Sequence, residues 1–67
     1  MRLEKIYEEF GRILVSKKSR YERAARLSEL YNSAGSAAYA LDNMLYIEIG
    51  MSCEEIVKGL RHGNVSV

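Results

Sequence analysis

The chain has 67 residues, with one cysteine, no proline, no tryptophan and a net charge of +1. A single cysteine excludes an intrachain disulfide, and one cysteine with one histidine cannot supply the four ligands of a structural zinc site. Because a domain of this size buries only about 60% of its unfolded surface, we expect it to need a further stabilising contact, such as another chain.

The composition is that of a globular protein, with 48% hydrophobic and 28% charged residues. No stretch of about 20 apolar residues is present, so we expect no membrane-spanning helix and no membrane partner. The first ten residues alternate charged and apolar side chains, which is unlike a signal peptide. Together with the lone cysteine, typical of a reducing compartment, this predicts a cytoplasmic protein.

The first predicted helix spans residues 2–15. Its apolar residues recur at the three- and four-residue spacings of an amphipathic helix, at Leu3, Ile6, Tyr7, Phe10, Ile13 and Leu14.

A second, longer helix is predicted over residues 20–49, starting after the capping box of Ser19 and Glu22. Its apolar seam alternates spacings of three and four, as in a heptad repeat. The seam consists of Ala24, Leu27, Tyr31, Ala34, Ala38, Leu41 and Leu45.

Two interpretations of the middle of this segment remain open, since Asn32, Ser33 and Gly35 are turn-forming residues. The unbroken heptad phase favours a continuous helix, in which one glycine costs only about 1 kcal/mol. The alternative is a break at Gly35, which would give a compact four-helix monomer.

The last predicted helix spans residues 53–62. Gly50 suits the left-handed position that ends the preceding helix, and Ser52 with Glu55 forms a capping box at the start of the new one. Gly63 is expected to end it.

The predicted fold is therefore all-α, with a short helix, a long heptad-patterned helix and a short C-terminal helix in a single domain over residues 1–67. At 1.5 Å per residue the long helix would span about 45 Å and the first helix about 21 Å. The short helices cannot cover the whole seam, so we expect a helical-hairpin subunit of an oligomeric bundle, in which the seam faces another copy.

The small net charge conceals a segregated charge distribution. Residues 16–26 contain five basic residues and one acidic residue, whereas residues 27–55 contain five acidic residues and no basic one. Cations at a helix N-terminus oppose the helix dipole, so an external anion would explain them, as would an acidic patch on a neighbouring protein. The candidate anion or nucleic-acid site comprises Lys17, Lys18, Arg20, Tyr21, Arg23 and Arg26.

The five tyrosines divide into two groups. Tyr7 and Tyr31 lie on apolar stripes and are expected in the core. Tyr39 and Tyr46 are seven residues apart on a flank of the seam, which favours a protein interface over stacking against nucleic-acid bases.

No catalytic set, cofactor site or metal site is predicted. Cys53 and His62 lie at opposite ends of one predicted helix, about 13 Å apart along its axis, which is too far for a nucleophile–base pair. Glu54 and Glu55 counter the effect of the helix N-terminus on the Cys53 thiol, so we do not expect a reactive cysteine.

Residues 49–60 resemble the turn and second helix of a helix-turn-helix DNA-binding motif, through the sequence Ile49-Gly50-Met51-Ser52 and the later Ile56 and Leu60. This resemblance would imply a transcription regulator that inserts the last helix into DNA. Tyr46 stands where the motif has a small residue, and Glu54 and Glu55 would repel phosphates at the start of the recognition helix.

These features favour a small non-enzymatic regulatory or inhibitor protein that oligomerises and binds a macromolecular partner, most simply a protein through Tyr39 and Tyr46. In size it resembles accessory proteins of phages and plasmids. One alternative partner is nucleic acid. The other is a small phosphorylated ligand, such as a nucleotide, sequestered by Arg20, Tyr21 and Arg23.

Overall fold

The computed structural model describes residues 2–63, and within them the chain forms four α-helices. These are α1 (Leu3–Leu14), α2 (Arg20–Ser33), α3 (Ala37–Ile49) and α4 (Cys53–His62). The predicted all-α class is confirmed. Residues 1 and 64–67 of the predicted domain lie outside the described part.

The prediction of one helix over residues 20–49 is wrong, because the chain turns between Ser33 and Ala37. Gly35 adopts the left-handed region, with φ of +61°. The Ser33 hydroxyl donates a hydrogen bond to the Leu30 carbonyl at 2.9 Å, and the Ala37 amide donates to the Ala34 carbonyl at 3.1 Å. These local bonds satisfy backbone groups that a helix break would otherwise leave unpaired.

The heptad seam is buried within the same chain. Leu27 and Leu41 are completely buried, and the seam members of α2 and α3 face a common core. Burial of apolar surface contributes about 25 cal/mol per Å², so folding α3 back onto its own chain outweighs the few helical hydrogen bonds lost at the turn. Because the seam is covered by the chain's own helices, it is not free to face another copy as predicted. The structure places Ala24, Leu27, Ala38, Leu41 and Leu45 in the interior, with Tyr31 and Ala34 partly buried.

The other two helices complete this core. From α1, the buried side chains are Ile6, Phe10 and Leu14. From α4, they include Ile56 and Leu60. Helix α2 lies antiparallel to both neighbours, since its first turns lie beside the C-terminal ends of α1 and α4.

The helix ends follow the predicted capping pattern with one difference. Ser52 and Glu55 form the complete capping box, with each side chain accepting from the backbone N–H of the other residue. At the start of α2, the Ser19 hydroxyl accepts from the Glu22 amide at 3.1 Å. The Glu22 carboxylate does not return this bond and instead lies 3.8 Å from Lys18 and from Arg26.

A pair of glycine substitutions tests the turn directly, because a Cβ at either Gly35 or Gly11 would meet no atom within 4 Å. Gly35→Ala is expected to lower the free energy of unfolding by about 1–2 kcal/mol, since alanine disfavours the left-handed backbone. Gly11→Ala, inside α1, is expected to raise it by up to about 1 kcal/mol, since alanine is the better helix former. Urea denaturation followed by circular dichroism measures both.

Opposite signs for the two variants support the turn. A stabilising Gly35→Ala substitution, similar in size to Gly11→Ala, would mean that residue 35 is helical and that the long helix is continuous.

Candidate interaction surface

Large uncharged side chains cover the side of α3 that faces away from the core. The exposed fractions are 79% for Tyr39, 58% for Tyr46 and 81% for Ile47. Asn43 is exposed between them and Ala40 flanks them, so these five residues are called the α3 outer face. Since the opposite side of α3 carries buried Leu41 and Leu45, this helix is apolar on both sides, a pattern typical of helices covered all round.

Part of this surface is predictable from the sequence. Tyr39 and Tyr46, the two predicted interface residues, both belong to it. Ile47 was not among the predicted residues, because it lies outside the heptad seam. The signal that could have revealed it is a second set of uncharged residues on one side of α3, at positions 39, 40, 43, 46 and 47.

Asp42 fixes the orientation of α3 by bonding to two other helices. Its Oδ2 accepts from the Tyr31 hydroxyl at 2.8 Å, and its Oδ1 accepts from the Cys53 backbone N–H at 2.8 Å. The second bond places a carboxylate at the positive N-terminal end of α4, a favourable position in the field of the helix. Because Asp42 is joined to α2 and α4 in this way, α3 cannot rotate about its axis, and the α3 outer face is held toward solvent.

The same carboxylate alters the acidity of its neighbours. The hydrogen bond to Asp42, together with burial, raises the pKa of Tyr31 to about 12. Burial, with a further contribution from the Asp42 charge, raises the pKa of the Cys53 thiol to about 12. Since Cys53 is only 2% exposed, its thiol is enclosed and protonated near neutral pH, the opposite of a nucleophilic cysteine.

The basic side chains of the predicted anion site contact different parts of the fold. The Nη1 of Arg23 donates to the Leu14 carbonyl at 2.8 Å, at the C-terminal end of α1. The guanidinium of Arg20 lies beside Gly63, at the end of α4, with Nη1 3.1 Å from the position a Cβ would occupy. These two cations thus lie beside the negative ends of the neighbouring helices, which explains why they occur at the N-terminus of α2.

Apart from Arg23, the members of that cluster are exposed. Arg20 also lies 4.8 Å from the centre of the Tyr21 ring and donates to the Tyr21 hydroxyl at 2.8 Å. Arg26 and Lys18 lie on either side of Glu22, and Lys17 is exposed in the connector. Arg20, Arg23 and Arg26 therefore do not converge on one point, and an anion site formed by the whole cluster stays a prediction.

Helices α3 and α4 are joined by the three residues 50–52, the segment that resembles the turn of a helix-turn-helix motif. Tyr46 is exposed instead of lying at the crossing of the two helices. Glu54 and Glu55 are both exposed on the first turn of α4. DNA binding through α4 would thus bring two carboxylates toward the phosphates.

A groove with a volume of about 310 Å³ lies between α2 and α4. It is open to solvent and is lined by Ser28 and Asn32 from α2 and by Lys58 and Arg61 from α4, with Tyr31 and Cys53 between them. Lys58 is paired with Glu54 at 3.8 Å. Most of the polar groups that line the groove come from exposed side chains, so its shape does not specify a ligand.

Residues 2–63 contain no group of three or more histidine, cysteine, aspartate or glutamate side chains placed to hold a metal ion. In the same range, each helix is too short or too polar to cross a membrane. Comparisons with known proteins found no matching family model, no matching curated protein and no matching solved structure.

The two hydrogen bonds of Asp42 predict that its removal lowers the free energy of unfolding. Asp42→Ala leaves the Tyr31 hydroxyl and the Cys53 amide without this acceptor, so we expect a loss of about 2–3 kcal/mol in the free energy of unfolding. Asp42→Asn, which keeps one carbonyl oxygen as an acceptor, should lose less. Glu48→Ala, an exposed carboxylate on the same helix, is the control and should change it by less than about 0.5 kcal/mol. Equal effects of Asp42→Ala and Glu48→Ala in urea denaturation would contradict the bridging role.

The raised pKa values of Tyr31 and Cys53 predict a loss of stability in alkali. In the unfolded chain these groups lose their protons near their ordinary pKa values of 10.0 and 9.0, whereas in the folded chain both keep them to about 12. Their contribution is therefore fully present below pH 9 and is lost as the pH rises toward 12.

Urea denaturation at pH values between about 8 and 11.5 measures this dependence, since it spans the unfolded-state pKa values of both groups. Tyr31→Phe and Cys53→Ala should each make the decline shallower, and Tyr46→Phe, which alters an exposed tyrosine, should leave it unchanged. The assignment is wrong if Tyr31→Phe and Cys53→Ala decline as steeply as the unmodified chain.

Proposed function

We propose that this chain is a small, non-enzymatic regulatory or inhibitor protein that acts by binding a protein surface through the α3 outer face. The observation that carries the proposal is the exposure of Tyr39, Tyr46 and Ile47 on one uncharged side of a helix whose other side forms the core. Single exposed apolar residues are ordinary, but aromatic and aliphatic side chains grouped on one face are typical of interaction sites.

The chemistry of this face favours protein over nucleic acid. A phosphate backbone is bound mainly through lysine and arginine, and the α3 outer face contains neither. Tyrosine combines a large apolar ring with a hydroxyl that hydrogen-bonds at low entropic cost, so it contributes strongly to protein interfaces. The basic cluster at the start of α2 is a weaker candidate, because Arg20 and Arg23 already lie at the ends of α4 and α1.

The buried side chains support a binding role over a catalytic one. Catalysis by cysteine requires an accessible thiolate, whereas Cys53 is enclosed and its pKa is raised to about 12. The Asp42 carboxylate bonds to Tyr31 and to the α4 backbone, so it holds the helices together.

Photo-cross-linking in cells that naturally express the protein tests the proposal. A benzophenone amino acid at position 39 or 46 is expected to cross-link to protein, because both side chains lie on the α3 outer face. Position 21 is the matched control, since Tyr21 is 60% exposed but lies on α2. Adding Ile47→Glu to the chain should abolish the cross-link from position 39.

The cross-linked protein is then identified, purified and titrated against the chain. We expect Ile47→Glu to weaken binding at least tenfold, or about 1.4 kcal/mol, and Tyr21→Ser to change it less than twofold. The proposal fails if positions 21 and 46 cross-link equally, if the cross-linked molecule is nucleic acid, or if Ile47→Glu binds like the unmodified chain.

A further inference from the structure

We infer that the α3 outer face is covered by a second copy of the same chain, packed antiparallel across a two-fold axis at Asn43. This inference rests on the proposed function, because it names the protein that occupies the same face. It differs from the predicted oligomer, in which the buried heptad seam formed the contact.

A second helical seam runs along the outside of α3. Tyr39, Asn43 and Tyr46 follow one another at spacings of four and three residues, and Ile47 follows Asn43 by four. This is the spacing by which one helix presents a continuous stripe to another helix. All four residues are exposed, whereas the inner seam of the same helix is buried. The α3 helix is thus patterned for a helical neighbour on each side.

The α3 outer face is self-complementary. A two-fold axis at Asn43 places each residue opposite the one equally far from position 43 on the other copy. Tyr39 of one copy then faces Ile47 of the other, which pairs two of the most exposed large apolar side chains. Tyr46 faces Ala40, which pairs a large side chain with a small one. Both pairs occur twice, so each of the five residues of the α3 outer face has a partner in the other copy.

The polar and charged residues of α3 are compatible with this contact. Asn43 would meet its own counterpart at the axis, and an amide side chain both donates and accepts, so two asparagines satisfy each other. A single asparagine in an apolar helix seam favours one register over others. The charged residues of α3 do not oppose this contact, since Asp42 is bonded to α2 and α4 and Glu48 lies on another side of the helix.

The size of the face indicates a weak, reversible dimer. Two tyrosines and one isoleucine bring on the order of 400 Å² per copy into contact, about half of the 800 Å² that each partner buries in a standard stable interface. Association is therefore expected to depend on concentration over the micromolar to millimolar range.

Sedimentation equilibrium of the purified full chain tests the inference. Between about 10 µM and 1 mM, a range that brackets weak association, the average mass should rise from 7.6 kDa toward twice that value. A mass that stays at 7.6 kDa throughout this range would overturn the inference.

Charge substitutions then test the interface and its register. Ile47→Glu and Tyr39→Lys should each keep the chain monomeric, because each places an unpaired charge against an apolar side chain. The double variant Tyr39→Lys with Ile47→Glu should restore association, since each lysine then faces a glutamate of the other copy. Val15→Glu is the matched control, because Val15 is a 68% exposed aliphatic residue that follows α1, and it should associate like the unmodified chain.

The result with the double variant decides the register. If it stays monomeric while the unmodified chain associates, the antiparallel contact at Asn43 is wrong. If Val15→Glu disrupts association as strongly as Ile47→Glu, the contact lies elsewhere. If the unmodified chain is monomeric but Ile47→Glu still removes the cross-link from position 39, the second copy is wrong and the proposed function stands.

Discussion

The left-handed turn at Gly35 reverses the chain between α2 and α3, and the packing of the rest of the molecule depends on this reversal. It brings the apolar residues of α3 onto α1 and α4, where Leu41 and Leu45 become buried. Without the turn, the second half of the seam would extend beyond the helices that can cover it. Residues 2–63 thus form one hydrophobic core from side chains of all four helices.

Asp42 determines the orientation of α3 relative to α2 and α4. Its two bonds, to the Tyr31 hydroxyl and the Cys53 amide, connect the middle of α3 to the end of α2 and to the start of α4. A partly buried carboxylate stabilises a fold when its hydrogen bonds are satisfied, and here each oxygen of Asp42 accepts one bond. The interaction surface is a consequence of this arrangement, since holding one side of α3 inward presents Tyr39 and Ile47 outward.

Antiparallel packing makes the basic residues at the start of α2 electrostatically favourable. In an isolated helix, Arg20 and Arg23 would oppose the dipole of α2. In the fold, the C-terminal ends of α1 and α4 lie beside this segment, so the same cations meet negative helix ends at Leu14 and Gly63. The negative ends of α1 and α4 therefore supply, for Arg20 and Arg23, the charge that the sequence alone would assign to an external anion.

The sequence by itself determined the helical class, the limits of α1 and α4 to within a residue or two, and the capping box of Ser52, because these depend on local spacing and on neighbouring residues. It also identified Tyr39 and Tyr46 as surface candidates. Only the tertiary structure decided that the chain breaks at Gly35, that the seam is internal, and that Ile47 joins the exposed face. The physical reason is that the heptad phase is the same in a continuous and in a folded-back chain, so burial against distant residues selects between them.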